Sequence, residues 1–139
     1  MHPQNLGDTL TSMEQLLGLL PERLGFKIVS ADAELVHARL EAQPELHHQF
    51  GALHGGVLFS VADSAAAVLV FHGGQAVVGT TDAGIRFLAP VETGAVDAFA
   101  RVRHAKGRSV SVEVELRDEK GELVALYNAH FVRVPRSNE

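Results

Sequence analysis

The chain has 139 residues, 46% apolar and 21% charged, with a formal net charge of −5 and no cysteine. That is the length and composition of one globular domain with a core of its own; it excludes disulfides, thiolate nucleophiles and cysteine zinc sites, and it argues against nucleic acid as a partner. The start, Met1-His2-Pro3-Gln4-Asn5, has no basic segment leading into an apolar one, and the most apolar run, 57–71, is broken by Ser60, Asp63 and Ser64 and is shorter than the ~20 residues of a membrane span, so a cytoplasmic protein with no membrane partner is expected.

Leu10, Met13, Leu16, Leu17 and Leu20 recur at three- and four-residue spacing. They predict a helix over 9–20, capped by Thr9 or Thr11 and ended by Pro21, within an N-terminal helical segment of residues 1–23. A strand is expected from 24–29 and a second over 34–40, where Val36, Ala38 and Leu40 alternate with Leu35, His37 and Arg39. Gly25 and the Ala31-Asp32-Ala33 corner mark the breaks.

Residues 43–53 form a long irregular piece carrying Pro44, His47, His48 and Gly51. Long loops in compact domains are often functional. His54-Gly55-Gly56 then leads into a helix over 57–71 that is apolar on nearly every side, which predicts a buried helix, and Gly73-Gly74 stops it. Four strands follow, over 76–88, 95–105, 109–117 and 122–134, the last two joined by a turn at Asp118-Glu119-Lys120-Gly121. Pro135 closes the ordered chain and leaves 135–139 as a tail. This order predicts a single α+β domain over 1–139, a curved antiparallel sheet of six strands wrapped around the apolar helix. The long edge strands call for a partner, hence a dimer.

Asp63 stands in the middle of the most apolar segment. An ionised carboxylate is costly to bury without partners. Either it lies on a minor polar stripe with Ser60 and Ser64 and bonds locally, or it faces a functional cleft. The glycines upstream carry two readings as well: a tight turn, or free amide donors at a helix start that hold an oxyanion. Neither a Gly-x-Ser-x-Gly elbow, a His-Glu-x-x-His pair nor a P-loop is present. His2, His37, His72, His104 and His130 show no partner in the sequence and are read as surface or strand residues.

The run Gly51-Ala52-Leu53-His54-Gly55-Gly56-Val57-Leu58-Phe59-Ser60-Val61-Ala62-Asp63-Ser64-Ala65 resembles the signature of hotdog-fold acyl-CoA thioesterases of the phenylacetate-degradation (PaaI) type. Ile85-Arg86-Phe87-Leu88-Ala89-Pro90 and Gly121-Glu122-Leu123-Val124-Ala125 are similar to later pieces of the same family. The resemblance implies a hotdog fold, acyl-CoA as substrate, and paired subunits with the site at their interface, as a homodimer or a homotetramer built as a dimer of dimers. It implies that Asp63 is the catalytic carboxylate, as base toward water or nucleophile toward the thioester. It further implies that the Gly55 amide polarises the carbonyl with His54 and Gly56 nearby, and that a hydroxyl from the partner subunit, at Thr80 or the adjacent Thr81, positions water. Ordinary strand filling is the other reading of both threonines.

The family commonly has asparagine six residues before the histidine that precedes the glycines; this chain has His48 there, followed by Gln49, and either could supply the hydrogen bond. His47 is read as a solvated loop residue. Lys106-Gly107-Arg108-Ser109, at a strand–strand turn, fits either the phosphates of CoA or a solvated basic turn. No cofactor or metal is expected, because thioester hydrolysis needs only water and charge stabilisation. Aryl and medium-chain acyl groups are both open as substrates. A non-catalytic acyl-CoA-binding module is the alternative function; a hotdog hydratase fits the motif order less well.

Overall fold

The computed structural model describes residues 16–73 and 76–134. Helix α1 (Leu20–Leu24) leads into β1 (Phe26–Ala31) and β2 (Val36–Glu41). A 3₁₀ turn at Pro44–Leu46 and an irregular loop carry the chain to helix α2 (Gly55–His72), and β3 (Ala76–Phe87), β4 (Ala95–Lys106), β5 (Ser109–Arg117) and β6 (Leu123–Val134) follow. All pairings are antiparallel, in the order β1-β2-β4-β5-β6-β3. The sheet wraps α2, which touches all six strands. This is the α+β hotdog arrangement that the motif implies.

Residue alternation explains which face turns inward. In β5, Val110, Val112, Val114 and Leu116 are buried and their neighbours half-buried. Val96, Ala98 and Ala100 do the same in β4; Val102 keeps their parity, opposite Val112, but is exposed like the rest of the strand beyond it, and a bulge between Val102 and His104 follows. Helix α2 is buried at Val57, Leu58, Val61, Ala62, Ser64, Ala65, Ala66, Val68, Leu69 and Val70, so it needs no single apolar face. By length and composition α2 could cross a membrane, with a mean hydropathy of 1.6, but here it is the rod around which the sheet closes.

One expectation near the start fails. Pro21 does not end a helix but sits in the first turn of α1, where its missing N–H costs nothing. Gly25, in the left-handed conformation at φ 79°, ends that helix, so Leu24 belongs to α1 rather than to β1. The expected helix over 9–20 lies mostly outside the described residues, as does His2.

His37 also has a partner. On the outer face of β2 and β4 its Nε2 lies 2.6 Å from Asp97 Oδ1, and Arg39 Nε donates to the same oxygen at 2.8 Å. The His37 ring stacks on Phe99, its cross-strand partner, with centroids 4.6 Å apart. Burial works to raise the Asp97 carboxyl, but its bonds to Arg39 and His37 outweigh burial and hold it below the usual carboxylate range. Such a group stabilises the fold above its unfolded value, near 3.8, and loses that contribution as pH falls through the folded value. Asp97→Asn is expected to cost about 1–3 kcal/mol at neutral pH, the worth of hydrogen bonds to a charged group, and clearly less near pH 3. Urea midpoints at the two pH values check this, and an equal loss at both contradicts it.

Candidate active site

Helix α2 positions two groups of interest at different heights. Its first residues, Gly55 and Gly56, have no backbone acceptor for their amide hydrogens among the described residues, and His54 at the N-cap makes no side-chain cap. These free donors and the dipole of an 18-residue helix make this end attractive to a developing oxyanion. A cavity of about 440 Å³ opens beside them, with Leu53, Gly55, Phe87, Leu88 and Pro90 among its walls and His48 at its polar side. His48 Nδ1 accepts the Phe50 N–H at 3.0 Å, so in the neutral ring the proton is on Nε2, a hydrogen-bond donor such as asparagine would offer. Its ring lies edge-on to that of His54, with centroids 5.7 Å apart.

Gly55 is favoured by close approach. A Cβ there would meet Cζ of Phe87 at 2.6 Å. Gly56 has open space at the same position, so only the first of the two glycines is sterically constrained.

Asp63 lies eight residues further along α2. It is half-buried, and its Oδ1 accepts two hydroxyls: Tyr127 at 2.5 Å and Thr80 at 3.2 Å. No described residue donates to Oδ2. Both donors come from the same chain as Asp63. The local stripe of Ser60 and Ser64 does not hold Asp63; Ser60 Oγ donates instead to the Gly56 carbonyl at 2.8 Å. Burial, then the bond and charge of Asp63, push the Tyr127 phenol well above its ordinary value.

The axial separation decides what one chain can do. Eight residues of α-helix rise about 12 Å and turn through roughly 80° past a whole number of turns. The Gly55 N–H also points away from Asp63, toward the helix start. No reacting atom can lie about 3 Å from both groups of one chain.

The remaining expected residues divide between these places and a third. Thr81 does not join Thr80 at Asp63. Adjacent residues of a strand point to opposite faces, and Thr81 Oγ1 lies 2.5 Å from His130 Nδ1 on the outer face. The other nitrogen of His130 lies 2.5 Å from Ser109 Oγ, so His130 is partnered on both sides. Lys106, Gly107 and Arg108 form the exposed β4–β5 turn beside Ser109, braced by Arg133 Nε on the Gly107 carbonyl at 2.8 Å. Gln49 is exposed in its loop. His47, read as solvated, instead has its Nε2 buried with no partner among the described residues, because the loop folds back through a bridge to Leu53. No three His, Asp or Glu side chains among the described residues converge in a way that could hold a metal.

Tyr127 is the residue that sequence reasoning missed. A signal was available: it is the one tyrosine of the chain, at an inward position of β6, and a buried tyrosine hydroxyl needs an acceptor just as a buried carboxylate needs a donor.

A family model described as the thioesterase superfamily matches residues 50–125. The chain is 35% identical over 101 residues to the proofreading thioesterase EntH of Klebsiella pneumoniae, covering 70% of this chain and 73% of that one. It is 31% identical to the 1,4-dihydroxy-2-naphthoyl-CoA hydrolase of Listeria monocytogenes, covering 77% and 89%. The solved structure of the PaaI protein from the E. coli phenylacetic acid degradation operon superposes with a TM-score of 0.80 at 26% identity, covering 88% of this chain and 94% of that one.

The close contact at Gly55 yields a test. Phe87 is 52% exposed and its ring tip can yield, so Gly55→Ala is expected to fold but to crowd the cavity wall. The substitution should be about 1 kcal/mol less favourable in the native background than in the Phe87→Ala background, the low end of overpacking strain. Denaturant midpoints of the four proteins check this; an identical effect in both backgrounds contradicts the contact.

Proposed function

The chain belongs to the thioesterase superfamily, as a hotdog-fold thioester hydrolase of the PaaI type, and from that membership we propose that it hydrolyses acyl-CoA at a site built by two protomers, with Asp63 from one and Gly55 from the other. The observation that carries this reading is the separation along α2. One chain holds the carboxylate and the oxyanion donors too far apart for one carbonyl, and a second copy supplies what is lacking.

Strand β3 supports the pairing. It is an edge strand of 12 residues, and 80–84 and 86–88 are exposed on it and just beyond it. A long edge with free N–H and C=O groups accepts another strand, and exposed Phe87 and Leu88 add apolar area there. A further pairing into a dimer of dimers rests on the family resemblance alone.

In the composite site the thioester oxygen accepts the Gly55 N–H of one protomer, with His48 and His54 beside it. Asp63 of the other presents Oδ2, taking a proton from water or adding directly to the carbonyl carbon. Thr80 supports the carboxylate from its own chain. The tetrahedral oxyanion forms at the helix start, collapses, and expels CoA as thiolate. After base catalysis the thiolate takes up the proton held by Asp63, whereas after direct attack water cleaves the Asp63–acyl anhydride, restoring the carboxylate and giving the free acid and the proton for the thiolate. Such donors are worth about 10²–10³ in rate, and a positioned base about 10²–10⁴. The cavity beside Gly55 is walled by apolar groups and suits an aryl or medium-chain acyl group. Lys106 and Arg108, exposed at the β4–β5 turn, suit CoA phosphates.

Thiol release across a panel of aryl- and medium-chain acyl-CoAs tests the activity. Wild type is expected to turn over at least one of them, Asp63→Asn to fold and lose at least about 10²-fold in kcat, and Thr80→Ala to lose less. Binding without turnover by wild type favours the acyl-CoA-binding alternative. Near-full turnover by Asp63→Asn contradicts the role of the carboxylate.

A further inference from the structure

We propose that Tyr127 is a positioning residue: its buried hydroxyl pins Oδ1 of Asp63 and thereby fixes Oδ2 as the oxygen that meets water or the thioester. The inference rests on the reading of Asp63 as the catalytic carboxylate and goes beyond it by naming which oxygen reacts and what selects it.

An aspartate carboxyl turns about a broad, two-fold torsion, so its two oxygens are interchangeable unless something tells them apart. Here both hydroxyl donors fall on Oδ1 and none of the described residues donates to Oδ2. The donors differ in firmness. Thr80 is exposed on the edge strand β3 and makes the longer bond, at 3.2 Å. Tyr127 is 0% exposed, in β6 between β5 and β3, paired across to Val114 and Ile85. Its ring is held edge-on against Phe59 of α2, with centroids 5.3 Å apart. The phenol thus ties the helix that carries Asp63 to the middle of the sheet at one defined atom. It also remains a donor: burial and the charge of Asp63 both oppose loss of its proton. When Oδ2 takes up a proton during turnover, Oδ1 is still an acceptor, and the bond survives both states of the carboxyl.

A bond that merely satisfied two buried polar groups would look the same in the structure but behave differently on substitution. Tyr127→Phe removes one oxygen and keeps the ring and its contact with Phe59. It is expected to lower kcat about 10- to 100-fold, the cost of a misplaced catalytic group, and to leave KM within about twofold. In the Asp63→Asn background the same change is expected to cause no further loss, because Tyr127 acts only through that carboxylate. The inference is overturned if Tyr127→Phe keeps kcat near wild type while Asp63→Asn has lost it, or if the two losses multiply. If Asp63→Asn itself keeps turnover, the catalytic reading fails and this inference with it.

A second measurement does not depend on the folding of Tyr127→Phe. The chain has one tyrosine and no tryptophan, so ultraviolet titration reports Tyr127 alone. Over the pH range in which circular dichroism shows the fold intact, the wild-type phenol is expected to resist ionisation past the ordinary tyrosine value of about 10. In Asp63→Asn, where the negative charge is gone, it should ionise at lower pH. Coincident titration curves would show that the hydroxyl does not meet the Asp63 carboxylate in solution, and would overturn the inference.

Discussion

The length of helix between Gly55 and Asp63 governs the rest. Helix α2 is a stiff rod clasped by the strands of the sheet, and eight residues of such a rod hold two functional groups about 12 Å apart whatever the side chains do. The free amides at one end and the carboxylate near the middle cannot serve one carbonyl within a single chain. Under the proposed reaction dimerisation is therefore a catalytic requirement, and the exposed β3 edge is the proposed means of bringing a second rod alongside.

The same rod explains why Asp63 is tolerated. A carboxylate on a helix apolar all round would be expensive to desolvate, yet Asp63 is half-buried rather than sealed, and two hydroxyls satisfy one of its oxygens. No described residue engages the other oxygen. At the far end of the rod, Gly55 leaves room for the Phe87 ring, so the cavity wall and the free amides meet at a residue that cannot carry a side chain without displacing that wall. Polar clusters elsewhere, His37-Asp97-Arg39 and Thr81-His130-Ser109, cross neighbouring strands on the outer face and brace the sheet rather than face the rod.

Much of this was legible in the residues themselves. The strands after α2 could be read because inward and outward residues alternate, and α2 because its apolar residues run on through every turn. What was not legible depends on contacts between distant segments. Pro21 reads as a stop by its local chemistry, but the same missing N–H suits a helix start, and only the path of the chain decides between the two. Thr80 and Thr81 are indistinguishable in sequence; the pleat of β3 sends one toward Asp63 and the other toward His130, and only the register of the strand decides which. The Tyr127–Asp63 bond joins residues 64 positions apart, and its only sequence trace is that each is polar where its element turns inward. The motif resemblance supplied the fold, and the structure adds that within one chain Asp63 already accepts the hydroxyls of Tyr127 and Thr80.

Pairing two disabled chains tests the shared site most directly. Gly55→Pro deletes the amide hydrogen at the first helical position, where the backbone suits proline and the exposed Phe87 ring tip must yield to its Cβ, and the preceding His54 is already extended at ψ 139°. Co-expressed with Asp63→Asn, it forms mixed dimers in which one site has both an intact carboxylate and an intact donor. With random pairing half the dimers are mixed and each carries one whole site of two, so about a quarter of wild-type activity should return. A mixture no more active than its two components would mean that each chain carries its own complete site, and would contradict the account.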